Sequence, residues 1–445
     1  MTRPGGVSLG RMAAVRVAPV PLLRGTLQVP SDKSLTHRAL LLSAVSDREV
    51  RVGRPLDSAD TGATLQAVED CGVRVDGHLG DALLITGRGL RGLRPPPALG
   101  CANAGTLIRL IAGLLVGQSI DHVVLDGDES LRGRPMTRIA RPLRAMGATI
   151  FTAPGGTPPL VVSGGAPLVG VEHHLEVASA QVKSCLLLAG LFAEGTTWVH
   201  EPVMSRDHTE RMLEASGVAV LREGGAVGVT GPVERLALPD VDVPGDFSSA
   251  AAHLVAGALL GDPEVRLEGV NMNPARTGLL AVMRRMGVVI GEEVGEPVAG
   301  EPCGTLTVSR TEGLRATEVE PHEVPSMIDE LPLVGLLGAL ASGTTVVRGA
   351  AELRVKESDR IASVVRALRA LGVEAEERED GFAVTGSGRI AGGAMESVGD
   401  HRLAMLGAVA GLVSEEGVSV GGFEAVAVSY PGFARDLAAL GAVNA

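Results

Sequence analysis

The sequence predicts a mixed α/β (α+β) fold of two globules, each made of three copies of one unit. Three observations predict it. A phrase of helix, glycine and strand recurs six times; a second phrase, a polar cluster opening an apolar helix, recurs six times between the first; and both step by about 70 residues. Two independent phrases sharing a period mark an internal repeat.

The first phrase reads AVEDCGVRV, PLRAMGATI, MLEASGVAV, VMRRMGVVI, ALRALGVEA and DLAALGAV. Its glycines are Gly72, Gly147, Gly217, Gly287, Gly372 and Gly441, at spacings of 75, 70, 70, 85 and 69. Glycine directly after a helical run is a C-terminal cap, because the left-handed backbone there costs it little. The second phrase is anchored on Lys33, Asn103, Gln181, Asp246, Asp329 and His401, stepping by 70, 78, 65, 83 and 72. Its helices are apolar nearly all round, so they must be buried. Their partners, such as RIASVVRALRAL, are amphipathic and belong outside. Each unit therefore holds two helices and several strands. Pro-Gly-Asp in VDVPGDFSS punctuates the chain, as does VPSDKS near residue 31. The expected division is one globule over 31–243 and a second from 1–30 plus 244–445, with hinge crossovers near 30 and 243.

Composition narrows the function. The chain has 445 residues and a net charge of −12, with only six Phe, one Tyr and one Trp. Single-stranded nucleic-acid binders stack bases on aromatic rings and line the backbone with positive charge; this chain has neither feature, so no nucleic-acid partner is expected. The acidic balance also repels anionic membranes. Cys71, Cys101, Cys185 and Cys303 lie far apart without a CxxC, which argues against a disulfide framework or zinc site and for a reducing, cytoplasmic location. The N-terminal Arg3, Arg11, Arg16 and Arg24 precede the first acid, Asp32, yet the apolar stretches there are too short for a secretory signal; a short extension, with Met12 an alternative start, is the better reading. The charge-free stretch 331–347 contains Pro, Gly, Ser and Thr and reads as a buried helix, turn and strand, so no membrane association is expected.

The polar clusters fall at the N-termini of the buried helices, where free N–H groups and the positive end of the dipole favour anions. Asn103, Ser179 and Asp246 are equally good helix caps, and that alternative stays open. The cations are more telling. Lys33, Arg38, Arg109, Arg134, Lys356, Arg360 and Arg402 lie in or beside the clusters, against the dipole. Gathering them is costly unless an anion joins them, so a ligand with phosphate and carboxylate groups is expected. Arg132 and Arg141 read as solvated. Among the cations stand Asp329, Glu330 and Glu357, as salt-bridge partners or as acids and bases tuned by the surrounding field. No P-loop, convincing dinucleotide fingerprint, GxSxG elbow or HExxH is present, so no cofactor and no metal is expected. His173-His174 reads as part of a polar strand or loop.

SDKSLTHRALLL, NAGTLIR, GRPM, SAQVKS, SRDHTE, MIDELP, RVKESDR and GDHRLAM occur in this order from about residue 31 to 407. In these segments the chain resembles the enolpyruvyl transferases, and among them the branch acting on shikimate 3-phosphate. The resemblance implies two domains of three βαβαββ units each, an inside-out α/β barrel. It implies transfer of the enolpyruvyl group of phosphoenolpyruvate to the 5-hydroxyl of shikimate 3-phosphate, on the way to chorismate and the aromatic amino acids. By resemblance Lys33, Ser34, Arg38, Ser179, Ala180, Gln181, Ser205, Asp329 and Lys356 bind shikimate 3-phosphate. Lys33, Asn103, Gly105, Arg134, Gln181, Arg360 and Arg402 bind phosphoenolpyruvate. Asp329, Glu357 and Lys33 are the catalytic set: Asp329 accepts the 5-hydroxyl proton and Glu357 protonates the methylene carbon. A monomer, inhibited by glyphosate, is implied. Two departures stand out. Val428 occupies a place where some members carry a Lys, and Glu352 one where some carry Asn. The alternatives are transfer to UDP-N-acetylglucosamine, for which the Lys-Asn of that sister enzyme is replaced by Lys33-Ser34, and a non-catalytic anion binder of the same fold, which would have no use for Asp329 and Glu357 together. RNA 3′-terminal phosphate cyclase shares related architecture but requires a nucleotide.

Overall fold

The repeated unit is visible as a strand order. In the second copy, strand Ala98–Gly100 leads into helix Gly105–Leu115 and returns as strand Val123–Asp126; helix Thr137–Ala145 and the antiparallel strands Thr149–Thr152 and Leu160–Ser163 complete βαβαββ. The returning strand pairs parallel with the first and antiparallel with the last, giving a four-stranded open sheet. A parallel pair needs a crossover element, and the buried helix is that element. The computed structural model describes residues 14–442, which form six such separate sheets, five of four strands and one of three. Arg3, Arg11 and Met12 lie outside the described residues, as do the ends of the expected second globule, 1–13 and 443–445.

The six apolar helices are Lys33–Ala44, Gly105–Leu115, Ala180–Gly190, Phe247–Leu260, Leu331–Leu340 and His401–Val413. Nearly every residue of each is buried, as expected for helices without a polar face. The Gly105 and Ala180 helices approach closely enough that a Cβ on Gly113 would lie 2.3 Å from the Cys185 carbonyl oxygen. The six amphipathic helices lie outside. Each is followed by its expected glycine in the left-handed region, with φ from 81° at Gly72 to 109° at Gly441. A side chain there would strain the backbone by about 1 kcal/mol or more.

Buried apolar side chains gather in two clusters. One draws on residues from Leu35 to Val243, the other on Val17 to Val29 and Phe247 to Ala442. The sheets exchange strands where the chain passes between them. Strand Leu23–Gln28, which precedes the Lys33 helix, pairs parallel with Gly261–Asn271; strand Val241–Asp242, which precedes the Phe247 helix, pairs parallel with Glu49–Gly53. The two passages run side by side. Asp32 N–H donates to the Pro244 carbonyl and Asp246 N–H to that of Pro30, each at 2.8 Å. Between them the buried Arg276 donates to Asp32 and Asp246, at 2.5 Å each. Two buried carboxylates sharing one guanidinium pin both passages at one point.

Candidate active site

The strand-helix crossover sets where the site forms. Each buried helix starts at the same end of its sheet, and the six N-termini converge on one cavity of about 430 Å³. Lys33 and Ser34, Gly105 and Thr106, Ser179 to Gln181, Asp246, Asp329, and His401 and Arg402 reach its wall from those six ends. Asp32, Ser179, Asp246 and Asp400 cap their helices through their side chains. The Gly105 helix has no side-chain cap, so no side chain claims its first N–H groups. Ser179 and Asp246 thus do both things the sequence left open: they cap and they line the cavity.

Nine Lys and Arg side chains line this cavity against six carboxylates, in a chain of net charge −12. The local field is therefore cationic although the molecule is acidic, and a site of this kind attracts anions only at short range. Of the fifteen site residues expected from the sequence, thirteen line the wall; Arg38 and Asn103 do not. Arg38 lies behind it, donating to Thr209 Oγ1, Ser184 Oγ and the Ser34 carbonyl at 2.8, 2.9 and 3.0 Å. It braces the backbone beside Lys33. Asn103 Oδ1 accepts from Arg134 at 2.6 Å and so aims that guanidinium. Arg132 and Arg141 are exposed, as solvated residues should be. Glu352 lines the cavity, paired with Arg138 at 2.9 Å; Val428 is half-buried and not in the wall.

Arg360 organises the carboxylates. Its guanidinium, 1% exposed, lies 3.0 Å from Asp329, 2.6 Å from Glu357 and 2.7 Å from Asp400. Asp329 also receives Arg206 at 2.6 Å, a pair that joins the two halves across the cavity. Burial pushes the Asp329 carboxyl up, but Arg206, Lys356, Arg402 and Arg360 together outweigh it and hold the group well below the carboxylate range. Glu357 is the same: burial raises it, and Arg360, with Lys33 and Arg134, pulls it below its ordinary value. Both are carboxylates while the cations lack another anion. Glu330 behaves oppositely, raised by burial and by the neighbouring Asp329 charge. Burial holds His401 well below its usual value, helped by Arg402 and Lys33, so this imidazole is neutral in the wall. Burial also draws the Lys356 ammonium down.

Several wall residues escaped the sequence reading. Asp60, 3.1 Å from Lys33 Nζ, looks in sequence like an acid in the first turn of an outer helix. Arg138 looks like the solvated face of another. Arg206 carried a usable signal, since it follows Ser205 within the SRDHTE segment. Arg276 carried none, because its two partners come from the two passages between halves.

Known proteins match most of this chain. A family model described as EPSP synthase (3-phosphoshikimate 1-carboxyvinyltransferase) matches residues 17–437. A 3-phosphoshikimate 1-carboxyvinyltransferase of Thermus thermophilus is 47% identical over 436 residues, covering 97% of this chain and all of that protein. One from Xanthomonas euvesicatoria is 48% identical over 412 residues, covering 92% and 93%. Among solved structures, the EPSP synthase of Acinetobacter baumannii superposes with a TM-score of 0.86 at 40% identity, over 96% of this chain and 98% of that one. The enolpyruvyl transferase NikO of Streptomyces tendae, at 18% identity and a TM-score of 0.77 over 96% and 97%, shares the fold.

Proposed function

This chain belongs to the EPSP synthase family, and from that premise we propose how its cavity performs the family's reaction. It is a transferase that moves the enolpyruvyl group of phosphoenolpyruvate to the 5-hydroxyl of shikimate 3-phosphate and releases phosphate. The observation that carries the assignment of roles is Arg360, which touches both Asp329 and Glu357 inside a ring of cations. A site that only bound phosphates would be weakened by those carboxylates.

Asp329 accepts the proton of the 5-hydroxyl as its oxygen attacks C2 of phosphoenolpyruvate, and Glu357 delivers a proton to C3. The product of that step is a tetrahedral intermediate. Loss of phosphate from C2, which carries off the proton held on Asp329, and return of a C3 proton to Glu357 leave the enol ether. A donor carboxyl must first be protonated, and Glu357 is held low by Arg360. Substrate resolves this: phosphate and carboxylate groups on Lys33, Arg134, Arg360 and Arg402 quench the field that lowers Glu357, so its proton affinity rises when the site is filled. Lys33, Gly105, Arg134, Gln181, Arg360 and Arg402 take phosphoenolpyruvate, with Asn103 aiming Arg134. Ser34, Ser179, Ala180, Ser205 and Lys356 take shikimate 3-phosphate, and Arg38 acts through Ser34. The fixed cations stabilise charge as it shifts, without reorganising. Residues 31–243 and 14–30 with 244–442 act as two globules, and pairs such as Arg206–Asp329 and Arg138–Glu352 join them across the site.

Phosphate release from phosphoenolpyruvate tests this, with shikimate 3-phosphate and separately UDP-N-acetylglucosamine as acceptor. Release with shikimate 3-phosphate alone is expected; release only with the sugar nucleotide, or with neither, overturns the reading. Gly105 leaves the phosphoenolpyruvate end open, so glyphosate should inhibit, and unchanged turnover at millimolar inhibitor would refute that. No helix among the described residues is long and apolar enough to cross a membrane. Four buried free cysteines favour a reducing cytoplasm, and the chain acts as a monomer, which sedimentation would test.

A further inference from the structure

His173-His174 reads in sequence as part of a polar strand or loop. The fold gives the second of these histidines neighbours that sequence distance conceals. Glu172–His174 is a short edge strand pairing parallel with Gly195–His200, in a register that sets His174 beside His200. Residues two apart share a face, so Glu172 and His174 point outward together, while the intervening His173 is buried. Glu172 Oε1 lies 2.7 Å from His200 Nε2 and 3.5 Å from His174 Nε2. The two imidazoles stack at 4.3 Å between centroids, and the three donor atoms lie within 4.8 Å of one another.

We propose that Glu172, His174 and His200 form a binding site for a divalent transition-metal ion, zinc in the first instance. Bonds of about 2.0–2.2 Å in a tetrahedron place donor atoms roughly 3.3–3.6 Å apart; Glu172 Oε1 lies 3.5 and 2.7 Å from the two imidazole nitrogens, and the stacked rings must turn out of their near-parallel arrangement for both nitrogens to face one ion. Two imidazoles and one carboxylate suit zinc, copper or nickel rather than magnesium or calcium. Water fills the remaining position, as the site is open to solvent. None of the three residues lines the substrate cavity.

Its position gives it a structural role. Two residues beyond His174 the chain reaches Glu176 and then Val177, Ala178 and Ser179 in the cavity wall; directly after His200 it runs to Pro202, Val203, Ser205 and Arg206 in the same wall. Glu201 already ties these loops together, accepting from Ser179 N–H at 2.9 Å and from Ser205 Oγ at 2.9 Å. The metal is a second clamp, at the roots of both loops.

The test is calorimetric titration of the EDTA-treated full chain with zinc chloride, in the absence of substrates, so that its outcome is independent of the transferase reaction. One saturable site per chain with micromolar affinity is expected. His174→Ala and His200→Ala should each weaken it by about tenfold or more, and Glu172→Gln by less. His122→Ala, at an exposed position elsewhere, should change nothing. Zinc should also raise the melting temperature of the parent but not of His200→Ala, by mass action on the folded state. Absence of saturable binding overturns the proposal. So does an isotherm that His174→Ala and His200→Ala leave unchanged, because the zinc would then be held elsewhere.

Discussion

Gly105→Ala puts one methyl group into the cavity at a place where the displacement can be worked out. A Cβ there lies 2.8 Å from Arg134 NH1 and 2.9 Å from Arg109 NH1, with no backbone atom closer. An ordinary contact begins near 3.4 Å, so Arg134 must retreat by at least 0.6 Å (3.4 − 2.8) and Arg109 by 0.5 Å (3.4 − 2.9). Both are ends of flexible side chains, so the fold absorbs the methyl cheaply. The ligand does not. A charge-assisted hydrogen bond near 2.8 Å stretched by that much is largely lost, and such bonds are each worth about 1.5–3 kcal/mol. If one bond is forfeited, KM for phosphoenolpyruvate rises roughly 10–100-fold. Shikimate 3-phosphate lies on other residues, so its KM should stay within about twofold, and kcat should fall little if chemistry at Asp329 and Glu357 is undisturbed. Steady-state phosphate release with each substrate varied in turn reads both constants, and a urea melt checks that stability is unchanged. A KM for phosphoenolpyruvate within twofold of the parent would mean that Arg134 does not hold that substrate, and the assignment of the Gly105 end would fall.

Other expectations follow from the same geometry. Glu357→Gln keeps the shape and an oxygen facing Arg360 but removes the titrating proton; kcat should drop about 10²–10⁴-fold while shikimate 3-phosphate binding by calorimetry stays within a few-fold. Turnover at parental rates would remove Glu357 from the proton-transfer role. Arg276→Ala leaves Asp32 and Asp246 buried without their shared cation, which should cost about 3–5 kcal/mol in urea denaturation; a loss below 1 kcal/mol would mean that the passages are held by the backbone alone. Acid should destabilise the fold through buried histidines. Burial lowers His37 to about 3 and His253 to about 4, against 6.5 when unfolded. The unfolded chain therefore binds more protons between pH 6.5 and those values, and stability is lost as pH falls through that window. The deficit at pH 5 is about 2 kcal/mol for each. Equal urea midpoints at pH 7.5 and 5 would contradict it.

The six outer helices and their glycines were readable because a left-handed cap is a local requirement. The glycine must sit one residue past the helix C-cap whatever the rest of the molecule does, and all six have positive φ. The six buried helices were readable because apolar residues on every face have one solution, burial. Thirteen wall residues were implied by the family resemblance; those at buried helix starts, such as Lys33, Gly105, Ser179 and Arg402, face the cavity because those starts converge, whereas Arg134, Ser205, Lys356, Glu357 and Arg360 reach it from other segments. The motifs could not say which side of a helix turn a residue would occupy. Arg38 lies one turn beyond Ser34 and lands behind the wall, donating to that residue's carbonyl. Asn103 precedes its helix and is spent on Arg134. Everything that depends on two distant segments meeting was decided by tertiary structure: Arg206 on Asp329, Arg138 on Glu352, Arg276 between the passages, His174 beside His200. The physical reason is range. Periodicity, capping and backbone handedness act within one or two turns of chain and are written there, whereas an ion pair acts over a few ångströms of space between residues up to 244 positions apart, and only sheet register and helix packing bring its partners within that distance.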